Sequence, residues 1–136
     1  MNSAQQTLVS YGIRPSVQRI AILEYLQENM THPTAEDIYV ALSPSMPTLS
    51  KMTVYNTLNL LVAAGVIIAL DIDGQFKCFD FDTTFHGHLK CKICGRIEDV
   101  YLGKNEDFRK LVKERQVDEA QLFMRGVCSA CGPKVV

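Results

Sequence analysis

Apolar positions at helical spacing begin early in the chain and predict its first elements. A short segment, Ser3 to Val9, predicts one or two turns of helix before Gly12. Ser16 is placed to cap a longer helix that ends near Asn29. The apolar residues of this second helix recur three or four positions apart, at Ile20, Ile22, Leu23 and Leu26.

Two further helices are predicted from their start and stop signals. Thr34 is followed three residues later by Asp37, which is the spacing of a capping box. Ser50 or Thr53 begins the third main helix. Gly65 ends it, because glycine readily adopts the left-handed backbone of a helix C-terminus.

The next pattern predicts a β-hairpin. Val66 to Leu70 and Phe76 to Phe79 are β-rich runs, and Asp73-Gly74 between them is a hairpin turn signal. Three main helices followed by a hairpin are typical of a winged helix-turn-helix domain, in which the third helix enters the major groove of DNA. A purely structural helical bundle is the alternative on this pattern alone.

The second half of the chain has the pattern of a small α+β unit. We predict a strand through Val100, a helix from Asn105 to about Arg115, and a last strand around Leu122 to Val127. The predicted fold class is therefore α+β, with a winged helix-turn-helix DNA-binding domain over residues 1–82 and a small zinc-binding α+β domain over residues 83–136.

Length and composition allow this division. A chain of 136 residues with 47% hydrophobic content suffices for one ordinary domain or two small ones, and a small C-terminal domain would need a metal to make up for its limited core. No apolar run approaches the roughly 20 residues of a membrane-spanning helix. Nothing resembles a signal peptide, so we expect a cytoplasmic protein that does not contact membranes.

Cysteine spacing predicts a structural zinc site. Four of the five cysteines form two Cys-x2-Cys pairs, Cys91 with Cys94 and Cys128 with Cys131, and a glycine follows each pair. Four thiolates complete a closed tetrahedral zinc site with no open position for a substrate. The odd number of cysteines argues against a disulfide framework. Cys78 is interpreted as a small strand residue.

A second set of metal ligands precedes and follows the first cysteine pair. His86 and His88 project from one face if their segment is extended, and Asp99 has the parity to meet them from a neighbouring strand. Imidazole and carboxylate without thiolate suit ferrous iron or manganese as well as zinc. The sequence therefore predicts two sites that select different metals.

The charge distribution does not by itself indicate a nucleic-acid-binding protein. The net charge is -1, and up to Asp80 seven acidic residues outnumber the basic residues Arg14, Arg19, Lys51 and Lys77. DNA binding would depend on the local placement of a few basic and polar groups.

Five motifs resemble the ferric uptake regulator superfamily in order and spacing, over nearly the whole chain. They are Arg14-Pro-Ser-Val-Gln-Arg19, His32-Pro-Thr-Ala-Glu-Asp-Ile-Tyr39, Thr53-Val-Tyr-Asn-Thr-Leu58, His86-Gly-His88 and Cys91-Lys-Ile-Cys-Gly95. The resemblance implies a homodimeric, metal-dependent transcriptional repressor that binds double-stranded operator DNA and has a C-terminal dimerisation domain.

Within this superfamily the chain looks most like the peroxide-responsive repressor branch. Asp80 and Asn56 match residues of that branch, where iron-uptake regulators tend to have glutamate and arginine. Phe85 and Gly87 stand where iron-uptake regulators often have His and Asp of an additional metal site. The opening motif departs from the usual order of residues, which leaves the start of the first main helix open.

The resemblance implies a regulatory metal site made from both halves of the chain. Its ligands would be His32, Asp80, His86, His88 and Asp99, holding Fe²⁺ or Mn²⁺, so that one ion links the two domains and controls DNA binding. The resemblance also implies that peroxide oxidises His32 or His86 when iron is bound. Oxidation of the cysteine thiolates is the rival sensing mechanism.

Candidate DNA contacts lie at the start of the third main helix and in the opening motif. Asparagine can bridge an adenine edge, and Thr and Tyr can contact the thymine methyl, although a tyrosine here could equally belong to the core. The candidates are Ser50, Lys51, Thr53, Tyr55 and Asn56, with Arg14 and Arg19 as backbone or minor-groove contacts.

Two alternative functions remain open from the sequence. A repressor that answers iron or zinc supply would share the fold and the operator-binding logic. A metal-activated hydrolase is disfavoured because, beyond the metal ligands, no candidate nucleophile or general base lies near His86 in the sequence.

Overall fold

The structure is a computed structural model that describes residues 2–71, 77–83, 86–101, 112–117 and 120–132. It divides into two compact units, Met1–Thr83 and Thr84–Val136. The predicted turn Asp73-Gly74, Phe85, and most of the predicted helix from Asn105 to Arg115 lie outside the described residues.

Four helices make up most of the first unit. They are α1 (Ser3–Ser10), α2 (Val17–Glu28), α3 (Ala35–Leu42) and α4 (Lys51–Ala64). The predictions for α2, α3 and α4 are confirmed, and α1 has two full turns. Its length is explained by a cap at Asn2, whose side chain accepts a hydrogen bond from the backbone N–H of Gln5.

Local capping explains where these helices begin and end. Ser16 caps α2, and Thr34 and Asp37 form both hydrogen bonds of the predicted capping box at α3. Of the two candidates at α4, Ser50 is the cap, since its hydroxyl oxygen accepts a hydrogen bond from the backbone N–H of Thr53 at 3.0 Å. Gly65 ends α4 with a φ of 83°.

The apolar faces of all four helices meet in one core. Because the apolar residues recur every three or four positions, each helix turns one side inward. The largest fully buried side chains contributed by the helices are Leu8, Ile22, Leu23, Leu26, Ile38, Val54, Leu58 and Leu61. This core holds α4 with its opposite face in solvent, where Tyr55, Asn56 and Asn59 are exposed.

A two-stranded antiparallel sheet follows the helices, as predicted. Strand β1 (Ile68–Asp71) pairs with β2 (Lys77–Asp80), in register Ile68↔Asp80. The loop before α3 also attaches to β2, through a bridge between Thr34 and Cys78 and a 2.9 Å hydrogen bond from the Phe79 N–H to the Pro33 carbonyl oxygen. Helices followed by this sheet confirm the outline of a winged helix.

The second unit contains a three-stranded sheet. Strands β3 (Gly87–Cys91), β4 (Ile97–Val100) and β5 (Leu122–Gly126) lie in the order β4-β3-β5. β3 pairs antiparallel with β4 and parallel with β5. The predicted last strand is confirmed as β5, and Val112 to Arg115, at the end of the predicted helix, form a turn.

Candidate metal centres and DNA-facing surface

The four cysteines of the two pairs converge in the second unit. Cys91 ends β3, Cys94 lies in the turn that follows, and Cys128 and Cys131 come shortly after β5. Their Sγ atoms all lie within 4.8 Å of one another. The Sγ atoms of Cys94 and Cys128 are 3.7 Å apart. Tetrahedral zinc with Zn–S bonds of about 2.3 Å requires sulfurs about 3.8 Å apart, so this group fits zinc.

Backbone hydrogen bonds stabilise the two turns that carry the cysteines. The N–H groups of Ile93 and Cys94 donate to Cys91 Sγ at 3.4 Å and 3.5 Å. Gly95 makes this turn possible because its φ of 76° is unfavourable for residues with a Cβ. In the turn of the second pair, the N–H groups of Cys131 and Gly132 donate to the Cys128 carbonyl oxygen at 3.1 Å and 2.6 Å.

These contacts change the acidity of the thiols. Hydrogen bonds from backbone N–H groups, chiefly that of Cys94, lower the pKa of Cys91 to about 6. The backbone N–H of Cys131 likewise lowers the pKa of Cys128. The hydrogen bond from the Cys131 thiol to Cys128 stabilises the neutral form of Cys131 and raises its pKa to about 12. Negative charge on sulfur is therefore stabilised at Cys91 and Cys128, as metal-binding thiolates require.

His86, His88 and Asp99 form a second group in the same unit. β3 and β4 pair so that His88 lies opposite Asp99, and the Asp99 Oδ1 is 3.3 Å from His86 Nε2 and 3.5 Å from His88 Nε2. The two imidazole rings are 4.5 Å apart and both side chains are buried. Gly87, between the two histidines, lies close to β5: a Cβ there would lie 3.2 Å from the end of the Met124 side chain and 3.3 Å from that of Leu122.

His32 and Asp80 form a corresponding pair in the first unit. The His32 Nε2 is 3.4 Å from the Asp80 Oδ2, and both side chains are at least 97% buried. His32 has a φ of 59°, a left-handed conformation that is uncommon outside glycine, and it precedes Pro33. Asp80 ends β2 and also accepts a 2.9 Å hydrogen bond from the Asp82 N–H.

Both groups have the donors that a hard divalent cation prefers. Nitrogen and carboxylate oxygen without sulfur suit ferrous iron or manganese, and the metal would offset the charge of carboxylates that are largely removed from water. The structure thus brings together two of the five predicted regulatory ligands in the first unit, His32 with Asp80, and three in the second, His86 and His88 with Asp99.

Six of the seven candidate DNA contacts line two depressions on the first unit. One, of 500 Å³, lies between the start of α2 and the exposed side of α4. It is lined by Arg14, Arg19, Thr53 and Asn56 among others. The Arg19 Nη1 donates to the Arg14 carbonyl oxygen at 2.8 Å, which holds the Arg19 guanidinium against the backbone at Arg14.

The other depression is a groove of 940 Å³ between α3, α4 and β2. Tyr55 lines it and is 50% exposed, so Tyr55 is a surface residue rather than part of the core. Lys51 lines it as well, and its Nζ lies 3.3 Å from the Glu36 Oε2. Asn59 and Lys77 complete this surface and were not among the predicted contacts.

The positions of Asn59 and Lys77 in the sequence explain why they line this groove. Asn59 lies one helical turn after Tyr55 and therefore shares its face of α4. Lys77 is the first residue of β2, and it was noted in the sequence only as one of a few basic residues. The predicted contact Ser50 also caps α4, and its hydroxyl lies 2.9 Å from the Thr53 hydroxyl; its contact with DNA stays a prediction.

No helix in the part of the chain that the structure describes combines the length and apolar character needed to span a bilayer. The longest, α4, has 14 residues.

Comparison with known proteins gives consistent matches. The family model of the ferric uptake regulator family matches residues 10–125. The chain is 39% identical to the peroxide operon regulator of Bacillus subtilis (strain 168) over 137 aligned positions, covering 98% of this chain and 94% of that protein.

Solved structures agree with these sequence matches. The ferric uptake regulator of Vibrio cholerae matches with a TM-score of 0.71 and 27% identity, covering 91% of this chain and 98% of that one. The peroxide-sensing gene regulator PerR from Streptococcus pyogenes matches with a TM-score of 0.55 and 30% identity, covering 96% of this chain and 94% of that one.

Proposed function

The chain belongs to the ferric uptake regulator family, and from that premise we propose that it senses hydrogen peroxide through oxidation of a histidine metal ligand, which releases operator DNA. It is a metal-responsive transcriptional repressor and not an enzyme. The relatives named for peroxide regulation, in Bacillus subtilis and Streptococcus pyogenes, support the choice of signal.

In this proposal the four-cysteine group holds a structural Zn²⁺ and the protein acts as a homodimer through its second unit. Support for zinc comes from the 3.7 Å separation of the Cys94 and Cys128 sulfurs and from the backbone donors around Cys91. Because four thiolates fill the coordination sphere, this metal has no open position at which peroxide could react.

The regulatory metal is proposed to be a single Fe²⁺ or Mn²⁺ held by His32, Asp80, His86, His88 and Asp99. Two carboxylates with three neutral imidazoles carry a charge that one divalent cation neutralises. Burial adds to this argument, since the side chains of His32 and Asp80 are at least 97% buried and a buried carboxylate is costly unless its charge is offset.

The proposed ligand set explains how metal would control DNA binding. Since the ligands come from both units, an ion that binds all five favours one arrangement of the units over others. A dimer in that arrangement would place its two α4 helices in successive major grooves of the operator. Loss of one ligand lowers the preference for that arrangement, and DNA is released.

The proposed response to peroxide depends on which metal is bound. An Fe²⁺ held by these residues would supply the electron that activates hydrogen peroxide, so that in the net reaction an imidazole gains one oxygen atom of the peroxide and the other leaves as water. Mn²⁺ would supply little of this chemistry. The chain contributes the target, and His32 and His86 are the proposed positions of oxidation. An oxidised imidazole is a poor ligand, so the metal is no longer held by all five residues.

The observation that carries the proposal is the cluster of His86, His88 and Asp99, which offers nitrogen and oxygen donors without a thiolate. It is tested by loading purified protein with iron or with manganese and measuring its binding to a duplex enriched from a random DNA pool. We expect brief peroxide exposure to abolish binding by the iron form and to spare the manganese form. Mass spectrometry should find one added oxygen on a peptide that contains His32 or His86.

A Cys78→Ala variant is the matched control for thiol oxidation, because Cys78 is the cysteine outside the four-cysteine group. It should respond to peroxide as the unaltered protein does. If both metal forms respond alike, or if oxygen is added only to cysteines, the sensor is thiol-based. If neither form responds but binding follows the metal concentration, the protein is a regulator of metal supply.

A further inference from the structure

One lysine that lines the groove between α3, α4 and β2 is paired with an acidic residue of the protein itself. Lys51 is the first residue of α4, and its Nζ lies 3.3 Å from the Glu36 Oε2 on α3. The same Nζ lies 5.6 Å from the centre of the Tyr39 ring. Glu36 and Tyr39 are three residues apart on one helix and therefore share a face. Their side chains are therefore both close to the same ammonium group.

This contact is exposed enough for DNA to replace it. The side chains of Lys51 and Glu36 are 58% and 55% exposed. Ion pairs this exposed shift an equilibrium by about fivefold at most, because water and salt screen them. A phosphate that approaches α4 can therefore take the ammonium from Glu36 at little cost.

The position of the pair places this competition in the groove between α3, α4 and β2. Glu36 and Lys51 both line the groove between α3, α4 and β2, together with Tyr55 and with Lys77 on β2. The two lysines favour a phosphate in this groove, whereas the carboxylates of Glu36 and Asp37 oppose one. Asp37 accepts a hydrogen bond from the Thr34 N–H in the capping box, and Glu36 is the carboxylate paired with Lys51. The first unit has few other cations, so the state of one lysine is a considerable part of its attraction for DNA.

We propose that Glu36 is a positioning residue for DNA binding, whose carboxylate holds the Lys51 ammonium in the groove and competes for it with a backbone phosphate of DNA. The inference rests on the proposed contact of Lys51 with DNA. Each encounter with DNA then has to displace an internal anion, so attraction by charge alone is reduced. Contacts of α4 with bases, such as those proposed for Asn56, gain relative importance.

The test compares two variants that each remove one negative charge. Glu36→Gln breaks the pair, and Glu28→Gln removes an exposed carboxylate at the end of α2, outside the groove. Binding of the metal-loaded protein to a mixed-sequence DNA duplex is measured over a range of salt concentrations. Glu36→Gln should tighten binding about two- to fivefold at low salt and steepen the salt dependence by up to about one unit of slope. Glu28→Gln should change both quantities less.

Lys51→Gln completes the test as a double-mutant cycle. Lys51→Gln should weaken binding, and in its presence Glu36→Gln should have no larger effect than Glu28→Gln. Equal effects of Glu36→Gln and Glu28→Gln in the unaltered background would overturn the role of Glu36. So would an effect of Glu36→Gln that persists without Lys51.

Two further measurements separate the possible failures. Unchanged DNA binding by Lys51→Gln would contradict the proposed contact of Lys51 with DNA and, with it, the role of Glu36. It would leave the proposed peroxide response untouched, because that response is tested by the separate experiment with iron and manganese. Thermal unfolding checks the fold of each variant. If Glu36→Gln folds poorly, Glu36→Ala repeats the test, because alanine also removes the carboxylate and is a strong helix former.

Discussion

Replacement of Cys94 by serine should unfold the second unit, because the four-cysteine group occupies the place of a hydrophobic core. Among the described residues of Thr84–Val136, the buried hydrophobic residues are Cys91 and Cys128, both cysteines of the group. The remaining apolar side chains that are described there are half-buried or exposed. A unit of about 50 residues whose described part has so little buried apolar surface is expected to depend on its metal.

The size of the effect follows from typical free energies. Structural zinc contributes about 10–16 kcal/mol of apparent binding free energy in small zinc peptides. A whole domain is typically stable by about 5–15 kcal/mol. The hydroxyl of serine is a much poorer zinc ligand than a thiolate, so Cys94→Ser removes a contribution comparable to the total stability of the unit.

Three measurements check this prediction. Metal analysis should find less than one zinc per chain, hydrogen exchange should show unprotected amides in β3 and β5, and sedimentation should show loss of the proposed dimer. The control is Cys78→Ala, which alters a buried cysteine of β2 and should keep zinc while lowering stability by about 1 kcal/mol. A Cys94→Ser protein that remains a folded dimer without zinc would refute the reasoning.

Three smaller predictions concern other parts of the structure. Asp99→Ala should leave zinc content and folding intact but weaken Mn²⁺-dependent DNA binding at least tenfold, measured by titration with Mn²⁺; an unchanged titration would make Asp99 an ordinary strand residue. Thr34→Ala removes the side-chain cap of α3 and should cost about 1 kcal/mol in urea unfolding of the first unit. Gly65→Ala forces a Cβ into a φ of 83° and should cost about 1–2 kcal/mol in the same assay, although nothing lies within 4 Å of that Cβ.

Features encoded by neighbouring residues could be predicted from the sequence. The caps of α2 and α3 and the glycine end of α4 depend on contacts within three or four residues, so the residue types were sufficient. The position of Asp99 followed from parity, because side chains alternate along a strand and the structure pairs β4 with β3. The sequence did not decide whether Ser50 or Thr53 caps α4.

Features that depend on distant residues could not be predicted in this way. The parallel pairing of β3 with β5 joins segments about 30 residues apart, and no periodicity reports it. Lys77 faces the same groove as Lys51 because β2 lies near α3 and α4, which spacing along the chain does not reveal. His32 and Asp80 entered as candidate ligands through resemblance, since a lone histidine before a proline carries no signal of its own.

The central place of β3 in its sheet has a consequence for how the chain folds during synthesis. The first unit, Met1–Thr83, is complete while the second is still being made, and domains fold as units from the N-terminal end. β3 and the Cys91–Cys94 turn are made first, and their parallel partner β5 and the second pair of cysteines follow about 30 residues later. Cys91 and Cys94 therefore lack their two partner cysteines until a long loop closes and brings Cys128 and Cys131 to them. We expect ribosome-bound chains that end before Cys128 to hold zinc weakly and to be vulnerable to oxidants, so that peroxide could damage a nascent chain before the proposed regulatory site has formed.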